Sequence, residues 1–181
     1  MTGIGFFKRL LGHPAANDQP EETRCLAATG TRMLVVDDSP TICAVLGRML
    51  EKDGYAVQKA ADGESALERA REAQPELIFL DIVLPGINGF AVLRALRHDP
   101  LTAHIPIVMI SGNQQATEQF YVQRFGADDF IRKPFGRAEV SACIHQLVKA
   151  GRLAGRTTVP AAPVAVPADA TVAKHIPSLL A

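Results

Sequence analysis

Asp37, Asp38, Asp81, Ser111 and Lys133 are residue types that together can accept a phosphoryl group. One carboxylate can take the group as an acyl phosphate. The others, crowded beside it, need a shared proton or a cation. An all-oxygen donor set with few protein ligands suits Mg²⁺, which keeps several waters. On that reading Asp37 and Asp38 hold the ion and Asp81 is the nucleophile. The transition state is loose and spreads charge over three equatorial oxygens. Mg²⁺ neutralises one, the Lys133 ammonium reaches a second, and the Ser111 hydroxyl with a backbone N–H satisfies the third. Singly, each residue has a plain structural explanation. Asp-Asp before Ser-Pro is a solvated helix start, Asp81 a loop acid, Ser111-Gly112 a turn and Lys133-Pro134 a strand exit. Their shared position is the signal.

That position is set by the elements around them. Asp37, Asp81 and Ser111 directly follow the apolar runs Val35-Val36, Phe79-Leu80 and Val108-Met109-Ile110, and Lys133 follows Phe130-Ile131 after one intervening residue, Arg132. Apolar runs bounded by turn residues are the mark of strands buried on both faces. Strands are predicted over 33–36, 55–60, 77–80, 105–110 and 129–132. Helices alternate with them. The first starts at Ser39-Pro40, a cap followed by a proline at the first helical position. It carries Ile42, Val45, Leu46, Met49 and Leu50 near a 3.6 period. Others are predicted over Gly63–Ala73, Gly89–Arg97, Thr117–Phe125 and Arg137–Lys149, the last with Val140, Ile144, Leu147 and Val148 as its stripe. Five β-α repeats imply a doubly wound α/β fold, a parallel five-stranded sheet covered on both faces. In strand order 2-1-3-4-5, the first and third strands flank the switch point, which brings Asp38 beside Asp81.

Composition bounds the alternatives. The 181 residues allow one domain with extensions, and 48% hydrophobic content allows a sizeable core. Formal net charge is zero, which gives a nucleic-acid role no electrostatic support. No run of 18 apolar residues suggests a membrane span, and the N-terminus lacks the apolar region of an export signal. Cys25, Cys43 and Cys143 form neither a metal pattern nor a disulfide framework, which fits a reducing cytoplasm. The expected organisation is an N-terminal extension over 1–30, a domain over 31–150 and an Ala/Pro/Val-rich flexible tail over 151–181. Residues 13–30 read as a linker. Ile4, Phe7, Leu10 and Leu11 can share one helical face opposite Lys8 and Arg9. That face is open to two readings: an interfacial helix touching a membrane or partner, or a plain terminus that is frayed or packs on its own domain.

The motifs Asp37-Asp38-Ser39-Pro40, Asp81-x-x-Leu84-Pro85-Gly86-x-Asn88-Gly89, Ser111 and Lys133-Pro134-Phe135 resemble those of CheY-like receiver domains of bacterial response regulators. The resemblance covers roughly residues 31–150 and implies a (βα)5 flavodoxin-like fold. It implies that a histidine kinase, CheA-like, phosphorylates Asp81. Mg²⁺ is then held by Asp37, Asp38, Asp81 and the backbone carbonyl of Val83. Ser111 and Lys133 are the family's hydroxyl and lysine, and Lys133-Pro134 is expected to be cis. Phe130 is the switch aromatic, turning inward when Ser111 is drawn to the phosphate. The helix 4–strand 5–helix 5 face, roughly Thr117 to Lys149, then shows a protein output partner a different surface. Phe130 replaces the frequent tyrosine, and Gly112 leaves the phosphoryl group more open to water.

A narrower likeness is to stand-alone regulators of twitching motility, the PilH type. It rests on Asp37-Asp38-Ser39-Pro40-Thr41, Met49-Leu50-Glu51-Lys52-Asp53-Gly54 and Asp81-Ile82-Val83-Leu84-Pro85-Gly86-Ile87-Asn88-Gly89-Phe90. The expected function is a phosphoacceptor that assists its own phosphorylation and dephosphorylation, not an enzyme. The alternative is a metal-dependent phosphohydrolase with an aspartyl-phosphate intermediate. Such enzymes place the nucleophile on the first strand, whereas here the candidate lies on the third.

Overall fold

Period-two alternation along the strands assigns each residue to one of two apolar layers. In the computed structural model, which describes residues 26–112 and 125–156, the elements run in this order: β1 (Arg32–Val36), α1 (Pro40–Lys52), β2 (Ala56–Ala60), α2 (Gly63–Ala73), β3 (Leu77–Asp81), α3 (Gly89–His98), β4 (Ile107–Ser111), β5 (Asp129–Arg132) and α4 (Arg137–Lys149). All strand pairs are parallel, in the order β2-β1-β3-β4-β5. Met33, Val35, Leu77, Phe79, Val108, Ile110 and Ile131 face one layer, with α1 and α4 residues such as Leu46, Leu50, Val140 and Ile144. Leu34, Val36, Ile78, Leu80, Ile107 and Met109 face the other, with α2 and α3 residues such as Ala70, Val92 and Leu96. Burying each large side chain contributes roughly 1.5–3 kcal/mol. The order and layering match the sequence expectation. The helix expected over Thr117–Phe125 lies outside the described residues apart from Phe125.

Local chemistry sets where each helix begins. Ser39 Oγ accepts from the Ile42 N–H at 3.4 Å, with Pro40 next. Asp62 accepts from the Ser65 N–H at 2.7 Å, and Asn88 from the Ala91 N–H at 2.9 Å. Each cap satisfies one of the amides that a helix start leaves unpaired. Two stripes differ from expectation. In α1 the buried residues are Cys43, Leu46, Gly47 and Leu50, while Val45 is exposed. In α4 Cys143 joins Val140, Ile144 and Leu147 in the core, and Val148 is only partly buried.

The folded body also extends past both expected boundaries. Ala27 pairs with Gly155 in an antiparallel bridge. The Ala28 N–H donates to Ala154 O at 2.9 Å, and the Arg156 N–H to Leu26 O at 2.7 Å. Arg156 Nη2 donates to Asp53 O at 2.8 Å. Ala27 is fully buried and Leu153 nearly so, both in the α1/α4 layer. The linker reading therefore stops short of residues 26–30, and the flexible-tail reading does not apply to 151–156. Small and apolar side chains at Ala27 and Leu153 close the base of the core. Residues 26–31 lead into the N-terminal end of β1, so this strap lies at the pole opposite the strand ends that carry the aspartates. Among the described residues no helix is long and apolar enough to cross a membrane.

Candidate functional site

β1 and β3 are neighbours and run in register from Met33↔Leu77 to Val36↔Leu80. The residues that leave their C-terminal ends must therefore converge. Asp37 follows Val36, and Asp81 is the last residue of β3. Both are buried, while Asp38 is exposed. Asp37 Oδ1 accepts from the Ser39 N–H at 2.9 Å, and Asp81 Oδ1 from the Val83 N–H at 3.3 Å. The other two carboxylate oxygens face one ammonium. Lys133 Nζ donates to Asp81 Oδ2 at 2.6 Å and lies 2.7 Å from Asp37 Oδ2. The contact to Asp37 is charge pairing without hydrogen-bond direction, which leaves Asp37 Oδ2 buried without a directed donor.

The lysine comes from the far side of the sheet, 52 residues beyond Asp81 in sequence. β5 pairs with β4 up to Ser111↔Arg132, and the Lys133 N–H extends the ladder to Ser111 O at 2.7 Å. That last bond aims the side chain across β4 toward β1 and β3. The Lys133-Pro134 peptide is cis, as expected. Ser111 is fully buried at the end of β4. Phe130 is half-buried and packs on the α2/α3 layer. Val83 is 65% exposed, in the loop after Asp81.

Three carboxylates and one ammonium leave the site with an excess of negative charge. Burial, with a smaller contribution from the Asp37 charge, raises the Asp81 pKa above the usual carboxylate value, against the opposing pull of Lys133. Burial alone would lower the Lys133 pKa. Its close contacts with the Asp37 and Asp81 carboxylates outweigh that, and the net shift is upward. Cys43 was not anticipated near the site. Its thiol donates to Asp37 O at 3.3 Å, and burial followed by the Asp37 charge pushes its pKa up. A cysteine one helical turn after the Ser39 cap was the available signal. A cleft of about 380 Å³ opens beside the acid pair, with Lys59, Asp62, Ser65 and Arg69 on its walls.

One carboxylate oxygen from each of Asp37, Asp38 and Asp81 lies within 4.8 Å of the others. With Asp37 Oδ2 buried and paired by charge but without a hydrogen bond, this all-oxygen set fits a hard divalent cation such as Mg²⁺ and offers no nitrogen or sulfur to softer metals.

Comparison with known proteins fits this geometry. The model of the response regulator receiver domain matches residues 33–145. The chain belongs to the response regulator receiver family. Over 103 residues this receiver is 42% identical to the protein PilH of Pseudomonas aeruginosa, covering 57% of the chain and 85% of PilH. It is 39% identical over 118 residues to the DNA-binding dual master transcriptional regulator RpaA of a Synechocystis strain. There it covers 65% of its own length and only 49% of RpaA. Among solved structures it resembles the receiver domain of a Pseudomonas aeruginosa sensor histidine kinase, which holds a magnesium ion in its active site cleft. That match has a TM-score of 0.62 and 28% identity, over 67% of this chain and 99% of the other. The phosphohydrolase alternative finds no support in these matches.

Proposed function

We propose that the protein is a single-domain response regulator that takes a phosphoryl group onto Asp81 from a histidine kinase. The observation that carries this reading is the Lys133 ammonium seated between the Asp37 and Asp81 carboxylates at adjacent strand ends. In the transfer, an Asp81 carboxylate oxygen attacks phosphorus. The bond from phosphorus to the donor histidine nitrogen breaks, and that nitrogen keeps the electron pair and takes up a proton. Lys133 leaves the Asp81 carboxylate and follows the negative charge onto the phosphoryl oxygens. Ser111, one strand over, supplies a hydroxyl donor to another. Asp37, Asp38, Asp81 and the Val83 carbonyl would hold Mg²⁺, which supplies charge neutralisation when bound. Gly112 contributes no side chain, and among the described residues a methyl there would first meet the Lys133 stem at 3.9 Å. The bare backbone at this position leaves room for the water that later hydrolyses the acyl phosphate.

The signal then passes through Phe130 to a protein partner, over β5, α4 and the helix expected at Thr117–Phe125, of which only Phe125 is among the described residues. Residues 31–150 act as the receiver, closed at its base by 26–30 and 151–156, with the remaining residues as extensions, in the cytoplasm. The likeness to PilH supports a role in twitching motility or chemotaxis-like signalling, with a CheA-like donor. The test is labelling by acetyl phosphate with Mg²⁺, followed by intact mass. Wild type gains one phosphoryl group, and Asp81→Asn gains none. Equal labelling of the two would overturn the assignment.

A further inference from the structure

Helix α3 begins directly on the backbone of the acceptor. The Gly89 N–H donates to Ile82 O at 2.9 Å. A methyl group placed on Gly89 would lie 2.9 Å from the Asp81 carbonyl carbon and 2.9 Å from Ile82 Cα, and nearer still to Asp81 O. All three of these are backbone atoms, so no rotamer change relieves the overlap. A second glycine stands behind the same loop. A methyl on Gly63, the first residue of α2, would lie 2.7 Å from Ile87 O and 2.8 Å from Val92 Cγ2. The Glu64 carboxylate lies over Gly86 in the same way, 2.8 Å from where its methyl would stand. The loop over 82–88 is thus held between the first turn of α2 and the first residue of α3. The far end of that stack is the peptide that carries Asp81.

We propose that Gly89, backed by Gly63, is a positioning residue for the phosphoryl-transfer reaction, setting the Asp81 carboxylate in register with Lys133. The inference rests on the acceptor reading of Asp81 given above. Helix propensity alone favours alanine over glycine within a helix, so it predicts a more stable helix for Gly89→Ala. The backbone overlap predicts the reverse: either α3 or the Asp81 peptide must move. The Asp81–Lys133 contact of 2.6 Å is short enough that a few tenths of an ångström matters to it.

The experiment compares wild type, Gly89→Ala, Gly63→Ala, Leu50→Ala and Asp81→Asn. Acetyl phosphate is varied at saturating Mg²⁺ and below every melting midpoint. Leu50 lies in the opposite core layer, away from the site, and serves as the destabilised control. Gly89→Ala is expected to lower the maximal labelling rate by about tenfold or more, with little change in half-saturating acetyl phosphate. Leu50→Ala is expected to label at the wild-type rate despite a lower melting midpoint. Should Gly89→Ala fail to fold, Gly63→Ala carries the same expectation. Its overlap with the Ile87 side chain can be relieved in part, so adding Ile87→Ala should return some of the lost rate. Labelling by Gly89→Ala, or by Gly63→Ala in its place, within twofold of wild type overturns the inference. So does a rate loss no larger than that of Leu50→Ala. Failure of wild type to label, or labelling of Asp81→Asn, overturns the acceptor reading instead.

Discussion

Replacing Lys133 by methionine keeps much of the side chain's bulk and removes the charge that sits between two buried carboxylates. At an effective dielectric of about 20, unit charges 2.7 Å apart attract by roughly 6 kcal/mol. Two such contacts, to Asp37 and Asp81, are offset by several kcal/mol of desolvation for each ion. The net value of the triad is small, but removing its cation leaves the two acids uncompensated, which costs about 3–5 kcal/mol. For a domain with a total stability of about 5–15 kcal/mol this is a large share. Urea unfolding followed by circular dichroism at pH 7.5 in EDTA should show the midpoint falling by about 2 M. The deficit has a definite pH course. The folded-state pKa of Asp81 is already raised, so the fold prefers its neutral form. That preference is fully expressed below the ordinary carboxylate range and lost as pH rises through the folded value. Without Lys133 the value moves higher still. The deficit of Lys133→Met should therefore shrink as pH falls toward 4 and shrink again when Mg²⁺ is added. Lys133→Met with Asp81→Asn should recover about half of the loss. A deficit indifferent to pH, to Mg²⁺ and to Asp81→Asn would mean that lost packing, and not charge, is the cause.

Two other perturbations test the frame around the site. Arg97 donates to Ala103 O, Ile105 O, Gly126 O and Asp128 Oδ2, and Asp128 in turn accepts from the Ile107 N–H. Arg97→Met should cost on the order of 2–4 kcal/mol in urea unfolding, because it strands half-buried acceptors at the foot of β4 and β5. A chain ended at Ala150 should be about 2–4 kcal/mol less stable than one ended at Arg156, since it loses the buried Leu153 and the pairing with residues 26–28. Equal melting midpoints would show that the strap adds nothing.

The placement of the candidate site residues was legible because it follows from strand order. Once apolar runs place Asp37, Asp81, Ser111 and Lys133 at strand ends, a 2-1-3-4-5 sheet brings them to one edge, as observed. The Ser39 cap was equally readable, a short polar residue before Pro40 and an amphipathic run, whereas the caps Asp62 and Asn88 emerged only in the structure. What stayed hidden depends on contacts without a periodic signal. Gly89 looks like any helix start until the Asp81 carbonyl is seen against it. Ala27 sits in a short segment with no helical or strand period, and it pairs with a residue far along the chain, Gly155. Val45 follows the helical period but lies at the rim of the stripe, where the slightly rotated face 43/46/47/50 meets the sheet.

The strap at the base of the molecule bears on the order of folding. Pairing Ala27 with Gly155 closes a loop of about 130 residues, at an entropic cost of roughly 4 kcal/mol in an otherwise open chain. Two backbone hydrogen bonds at about 1 kcal/mol each do not meet that cost. The strap therefore forms only after the sheet has brought the foot of β1 and the end of α4 together. It is a latch that closes last. Deuterium uptake at the Ala28 and Arg156 amides accordingly marks how much of the whole molecule has already assembled.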